Sequence, residues 1–232
     1  MDMSVDARTL GRLGFLQGLP EAALETLAAS ARVRAIPRDS RVFSQGDENV
    51  RAHILLEGGL RIAQVGSDGG EVTIRFIAPG EMFGTMALFT DRRYPADAVA
   101  LMESREVSWS EGELMALMAE CPELAVAVIR MVGRRLQQVQ ERVRELSTQR
   151  VEQRVANAVL RLSAQAGHRS AQGIEIAFPL RRRDVADIAG TTLHSVSRIL
   201  TAWERRGLIA GRQQHLILCH KPALERIAEE GE

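Results

Sequence analysis

Cysteine is scarce in this chain. Cys121 and Cys219 are the only two among 232 residues, too few and too far apart for a structural zinc site or a four-thiolate cluster. The count fits a reducing compartment; a structural thiol and a redox sensor are the two readings of each. Long apolar runs are missing too. Nothing approaches the roughly 20 residues of a membrane span, and the opening MDMSVDARTL has neither the basic nor the apolar region of a secretory signal. The expectation is a cytoplasmic protein without a membrane partner. Histidine is thin where a β-domain metalloenzyme would need it. A cupin-type site takes two or three histidines and a carboxylate, but His53 stands alone before residue 168, and His168, His194, His215 and His220 are scattered behind it. No nucleophile motif appears, so an enzyme is not expected.

Net charge is absent as well, with 30 basic and 30 acidic residues, but the balance hides an asymmetry. Residues 1–120 carry 12 arginines against 18 acids, net −6, whereas residues 121–232 carry 18 basic residues against 12 acids, net +6. A basic second half suits a phosphate backbone, although plain solvated surface gives the same count.

What is present changes texture along the chain. Residues 19–31, with Pro20 at a first-turn position, read as a short helix. From residue 32 to 110, short runs rich in Val, Ile and Phe (RVRAI, RVFSQ, AHILLE, LRIAQV, EVTIRFI, ADAVAL, REVSW) alternate with glycine turns, the pattern of an antiparallel barrel or jelly roll. A helix over 113–119 should stop at Cys121-Pro122, because the residue before proline is pushed out of helical geometry. A longer helix follows. Its Ile129, Val132, Leu136, Val139, Val143 and Leu146 recur at alternating steps of three and four, the seam of a coiled coil. The seam either buries against its own domain or meets a second copy; left uncovered on a monomer it would be a sizeable apolar patch, which favours the homodimer.

After a bend near 147–149, residues 151–166 form another helix with Val155, Val159 and Leu162 inward. A loop, AGHRSAQG, precedes a strand, GIEIAF. Then LRRRDVADIAGTTLHSVSRILTAWERRGLI, residues 180–209, reads as two helices around a turn at Gly190. Thr192 can cap the second. Its Leu193, Val196, Ile199, Leu200 and Trp203 form a stripe expected to be buried, and His194, Ser197, Arg198 and Thr201 form the opposite, polar one. An ordinary buried hairpin shares such a stripe. The strands LIAG and HLILC, a wing around residues 212–214, and the basic charge favour a DNA-reading helix-turn-helix. Contacts to DNA are expected from Arg181, Arg182, Arg183, Thr192, His194, Ser195, Ser197, Arg198 and Arg212. Residues 222–230 read as a short terminal helix. The fold class is therefore α+β: a β-roll over 1–120, a dimerisation helix over 121–148, and a winged helix-turn-helix over 149–232.

This order of elements, with FSQGDEN at 43–49, APGEMFGTMALF at 78–89 and RRDVADIAGTTLHSVSRILTAWERRGLI at 182–209, resembles the cyclic-AMP receptor protein and fumarate–nitrate reduction regulator (CRP/FNR) family of bacterial transcription regulators. The resemblance implies a small effector or cofactor held by the roll and the long helix, a twofold DNA site with TTG-like arms, and recruitment or obstruction of RNA polymerase. It also locates departures. Where cyclic-nucleotide members place a Glu, an Arg-Ser pair and a helix hydroxyl, this chain has Thr85, Pro95-Ala96 and Val139. Without that guanidinium a cyclic phosphate loses its bidentate partner, so cyclic AMP is not expected to bind. Iron–sulfur members need four cysteines, which excludes their cluster here.

The reading helix, with HSVSR, resembles that of nitric-oxide-responsive denitrification regulators. This resemblance implies haem, with His53 and Met86 as axial ligands, in a pocket of Met82, Phe83, Gly84, Thr85, Met86, Leu88, Phe89, Leu136 and Val139. A Met/Phe stripe is equally the stuff of core packing. An effector-independent or redox-responsive regulator of the same fold is the alternative.

Overall fold

The computed structural model describes residues 4–212 and 215–230. The chain divides into two compact units, one holding residues up to Gln64 with Ile77–Val139, the other Val65–Phe76 with Gln140 onward.

The first unit opens with α1 (Ala7–Gly11), capped by Asp6, whose carboxylate accepts from Thr9 N at 2.7 Å, and α2 (Glu21–Ser30) behind Pro20. The roll follows: β1 (Arg32–Ile36), β2 (Arg41–Phe43), β3 (Arg51–Glu57), β4 (Leu60–Val65), β5 (Glu71–Ile77, which up to Phe76 belongs to the second unit), β6 (Met82–Phe83), β7 (Asp97–Ala100) and β8 (Ser104–Ser110), with the five-residue helix α3 (Thr85–Phe89) between β6 and β7. One antiparallel sheet has the order β1-β8-β3-β6 and the other β2-β7-β4-β5. In the first, His53 lies opposite Ser108 and Ile54 opposite Val107. Ile54, Leu55, Val107 and Trp109 bury at 1% exposure or less. Trp109 donates its Nε1–H to Leu27 O at 3.0 Å, which fastens α2 to the roll.

Helix α4 (Glu111–Glu120) starts on a capping box. Ser110 Oγ accepts from Glu113 N, and the Glu113 carboxylate accepts from Ser110 N at 2.6 Å and from the Ser110 hydroxyl at 2.7 Å; the two bonds to the carboxylate hold it below its ordinary range. Cys121 ends it in extended geometry, as a residue before proline must. Pro122 then opens α5 (Pro122–Thr148). All six residues of the apolar seam are exposed on the chain, Ile129 most at 67%.

The second unit contains the rest of α5 and α6 (Val151–Ala166), β9 (Gly167–Ser170), β10 (Gly173–Ile176), α7 (Arg182–Ala189), α8 (Leu193–Arg205), β11 (Ile209–Arg212), β12 (His215–Leu218) and α9 (Lys221–Glu230). Its sheet runs β11-β12-β10-β9. The sequence missed β9: residues 167–170, expected as loop, pair with β10 in an antiparallel hairpin. Val155, Val159 and Leu162 point into a core shared with Phe178, Val185, Val196 and Leu224. Trp203, fully buried, donates to Glu152 Oε1 at 2.8 Å. Segment 65–76 belongs to this core, since Phe76 stacks on Phe178 with ring centroids 4.8 Å apart and Phe76 O accepts from Gln165 Nε2 at 2.9 Å.

Candidate nucleic-acid interface

Helices α7 and α8 are joined by a turn that only a glycine fits comfortably. Gly190 has φ +62°, the left-handed region, and a Cβ there would lie 2.4 Å from Leu146 Cδ2. The open carbonyls at the end of α7 are capped by arginines from elsewhere in the unit. Arg142 Nη2 donates to Asp187 O at 2.8 Å while its Nη1 donates to Ile74 O, and Arg154 donates to Ala189 O at 2.9 Å and Gly190 O at 3.1 Å. Leu146 therefore does more than sit in a seam: it packs on the turn that sets the two helices. At the other side, Thr192 Oγ1 accepts from Ser195 N at 3.1 Å and so caps α8, as its place in the sequence led us to expect.

The first turn of α7 holds a buried carboxylate. Asp184, with no exposed surface, accepts from Arg181 N, from Arg181 Nε and Nη2 at 2.9 Å each, and from Thr73 Oγ1 at 2.9 Å. Burial by itself raises its pKa. The bonds from Arg181 and Thr73, with the Arg181 charge, outweigh that and leave the pKa below its ordinary value.

The sequence-predicted DNA contacts sort into two groups. Arg181, Arg182 and Arg183 are tied within the unit: Arg181 to Asp184, Arg182 to Thr201 Oγ1, Ser197 O and Glu204, and Arg183 to Asp187 Oδ1 at 3.0 Å. Each remains partly exposed, but part of its charge is already answered. His194 and Arg198, in contrast, are exposed on α8 and, among the described residues, make no hydrogen bond or ion pair. Ser195, Ser197 and Thr201 are half-buried beside them. The side chain of Arg212 lies outside the described residues. Two further arginines that the sequence reading passed over, Arg205 and Arg206, are exposed at the end of α8 with no partner among the described residues; their place about two turns beyond Arg198 was the available signal.

One member of the predicted buried stripe is not buried. Val196, Ile199, Leu200 and Trp203 are at most 8% exposed, but Leu193 is 45% exposed. It is the first residue of α8 and has no preceding helical turn to pack beneath.

The roll's candidate site is closed around its histidine. His53, buried between strands, places Nδ1 2.7 Å from Glu106 Oε2 and Nε2 3.0 Å from the Tyr94 hydroxyl. A carboxylate only accepts, so Nδ1 carries the proton. Arg34 closes the far side of Glu106 at 2.8 Å, and Arg51 N donates to the Tyr94 hydroxyl at 2.7 Å. Burial pushes the Tyr94 phenol up to about 12, against the lowering effect of that backbone bond. Phe43 stacks on Tyr94 at 3.6 Å and Phe83 on His53 at 5.0 Å. Gly84, at φ +76°, lies so close above the ring that a Cβ would come 2.8 Å from His53 Cδ2 and 2.9 Å from Arg51 O.

As haem ligands the two residues are poorly placed: both His53 nitrogens already have protein partners, and Met86 faces outward at 61% exposure. The residues present do not fit the group. The predicted effector pocket likewise splits: Met82, Phe83 and Leu88 are core, Gly84 and Thr85 are half-buried, and Met86, Phe89, Leu136 and Val139 are exposed. Two cavities of the first unit lie elsewhere, one of about 570 Å³ beside Phe15, Leu19, Val126 and Arg134, the other of about 250 Å³ beside Leu27, Leu117 and Leu124. Pro95 is exposed and Ala96 buried, while the nearby guanidiniums of Arg92 and Arg93 pair with Glu111 and Glu48.

Comparison with known proteins accords with both units. Residues 33–121 match the cyclic nucleotide-binding domain and residues 153–227 the Crp-like helix-turn-helix domain. The chain is 26% identical over 219 residues to the CRP-like cAMP-activated global transcriptional regulator of Mycobacterium tuberculosis, covering 94% of this chain and 98% of that protein. It is 29% identical over 205 residues to the nitrogen fixation regulation protein FixK of Azorhizobium caulinodans, covering 88% and 82%. A CRP-family transcriptional regulator of Thermus thermophilus superposes with a TM-score of 0.71 at 28% identity, over 85% of this chain and 97% of that one. No helix among the described residues is long and apolar enough to cross a membrane. These relatives are regulators and not enzymes. With a cyclic nucleotide-binding domain, a long helix and a Crp-like helix-turn-helix in that order, the chain belongs to the CRP/FNR family of transcriptional regulators.

Proposed function

We propose that the protein is a homodimeric, sequence-specific DNA-binding regulator that reads a twofold site with TTG-like arms, its half-site centres one turn of roughly 10 base pairs apart, and recruits or obstructs RNA polymerase there. One observation carries this reading. Helix α8 buries Val196, Ile199, Leu200 and Trp203 and leaves His194 and Arg198 exposed on its other side, with no hydrogen-bond or ion-pair partner among the described residues. A guanidinium without an internal partner can give its planar fork to guanine O6 and N7, which discriminates against a wrong base by about 1–3 kcal/mol. His194, a single donor or acceptor when neutral, reads its base pair more loosely. Arg181, Arg182 and Arg183, partly answered inside the unit, contribute the salt-dependent attraction to phosphate along with Arg212. The test is a titration at two salt concentrations on the selected site and on guanine-substituted duplexes. Arg198→Ala should erase the preference for guanine and keep most non-specific affinity; equal loss on both duplexes would place Arg198 on phosphate and refute the docking.

The exposed seam of α5 supplies the dimer contact in this reading, since so long an apolar stripe is unusual on a monomer. The roll is the effector-responsive part, and its effector is not cyclic AMP. Thr85 and Pro95-Ala96 offer no guanidinium for a cyclic phosphate, and Arg92 and Arg93 are spent on Glu111 and Glu48. Saturating cyclic AMP should therefore leave the melting temperature unmoved. An upward shift would overturn this part.

A further inference from the structure

The larger cleft of the first unit, about 570 Å³, runs between the segment that follows α1 and the first half of α5. Its two walls are each fixed from behind. Leu10 and Leu16, at most 1% exposed, anchor the segment, which turns through bonds from Leu13 N to Leu10 O, Leu16 N to Leu13 O and Leu19 N to Leu16 O. Leu124 and Val128, each 2% exposed, anchor α5. On the rim, Gly14 and Gly18 contribute no side chain, and beyond their chain neighbours a Cβ on either would meet nothing within 4 Å. The space stays open.

The lining changes character along α5. Glu123, which accepts from the Cys121 thiol at 3.3 Å, comes first, then Val126, then Arg130 and Arg134 one turn apart, while Phe15 and Leu19 add apolar wall from across the cleft. Three of the five arginines of α5 are tied: Arg135 to Gln138, Arg142 to Ile74 O and Asp187 O, and Arg144 to Glu141. Arg130 and Arg134 are exposed and have no hydrogen-bond or ion-pair partner among the described residues. The dimer seam does not cover them. At about 100° per residue they lie about 130° and 170° round the helix from the middle of Ile129, Val132 and Leu136.

We propose that this cleft binds an apolar monocarboxylate, with its carboxylate on Arg130 and Arg134 and its chain along Val126, Phe15 and Leu19. Two guanidinium forks one turn apart can share one carboxylate through charge-assisted hydrogen bonds. Glu123 repels a second anionic end, so the ligand carries one charge. From Pro122 to midway between the two arginines, α5 rises about 15 Å, which an extended chain of about a dozen bonds spans. The site lies outside the strands of the roll, and the proposal stands whether or not the DNA-reading function holds.

The test is calorimetric titration of the full chain with sodium dodecanoate, dodecanol and disodium dodecanedioate. Dodecanoate should bind at one molecule per chain, and the alcohol and the diacid each about tenfold more weakly or worse. Replacing both arginines, Arg130→Gln with Arg134→Gln, should weaken dodecanoate about tenfold and leave dodecanol unmoved. Gly14→Leu should weaken both, because Gly14, unlike Gly18 at φ +88°, lies outside the left-handed region and a side chain there fills the cleft. All three positions are exposed, so the melting temperatures without ligand should match the wild type; were Gly14→Leu to melt early, the arginine pair alone decides. No binding by the wild type overturns the inference, and so does dodecanol binding as tightly as dodecanoate. A stoichiometry well above one that no substitution moves is adsorption and overturns it as well. An arginine-pair variant whose sedimentation changes while its dodecanoate affinity does not would assign this face to a second copy of the chain instead.

Discussion

Each unit of the molecule buries its most enclosed carboxylate in a polar knot, and the knots differ in what they leave over. In the roll, Glu106 is 1% exposed and takes up His53 and Arg34, with Tyr94 closing the far nitrogen of the ring. In the head, Asp184 takes up Arg181 and Thr73. The roll's knot consumes the most reactive-looking side chain of its half, His53. The second unit's acids consume three neighbouring arginines in part and leave Arg198 and His194 without a partner among the described residues. A titratable residue is thus better judged by whether its bonding capacity is spent than by its chemistry alone.

Three changes probe that contrast, in falling order of expected effect. Glu106→Ala strands a histidine and a tyrosine that are both nearly inaccessible to water. Removing one partner of a buried charged network costs about 3–5 kcal/mol, so the roll should melt far earlier in a denaturant titration followed by Trp109; a loss below about 1 kcal/mol, the scale of an ordinary hydrogen bond, would show that His53 was free to do something else.

Asp184→Asn should cost less, about 2–3 kcal/mol, because Arg181 is half exposed and can be rehydrated. The wild-type carboxyl has a folded pKa below its unfolded value of 3.8. Its stabilisation is therefore present above that value and is lost as pH falls through the folded one. Denaturant midpoints of the head should drop on acidification below about pH 4, with a shallower drop in Asp184→Asn. Equal slopes would assign the acid sensitivity to other carboxylates. Smallest for stability is Val139→Glu, an exposed position on α5, which should change either unit's own unfolding free energy by no more than about 0.5 kcal/mol. Its effect should fall on association. If the variant still sediments as a dimer, the seam is elsewhere.

The head was largely legible in the sequence, because a helix that reads DNA does so with one face of a regular element, and residue spacing encodes faces. Gly190 at the turn, Thr192 at the cap and the buried Val196, Ile199, Leu200 and Trp203 follow from spacing alone. Leu193 escaped because periodicity knows nothing of where a helix starts. The pairing of Arg181 with Asp184 and of Arg183 with Asp187 was readable at steps of three and four. The roll's strands were marked by their glycines, yet its site was not legible. A pocket is a concavity among distant segments, and the Glu106 that occupies His53 is 53 residues away in the chain. A local hint existed: His53 sits inside the run AHILLE, whose residues 52–55 all bury, and an uninterrupted buried strand leaves its histidine nowhere to go but into a hydrogen bond. Short elements such as α1, α3, β6 and β9 carry too few residues for a period to show.

The chain contains only two tryptophans, and each compact unit holds one: Trp109 in the first, on Leu27 O, and Trp203 in the second, on Glu152. Both indoles are fully buried. The molecule therefore carries two separate optical probes, one inside the roll and one on the buried face of α8. A single-tryptophan variant of either kind turns emission colour and quenching into a signal from one unit alone, so that a disturbance of the roll and one of the second unit become two clocks that can be read independently.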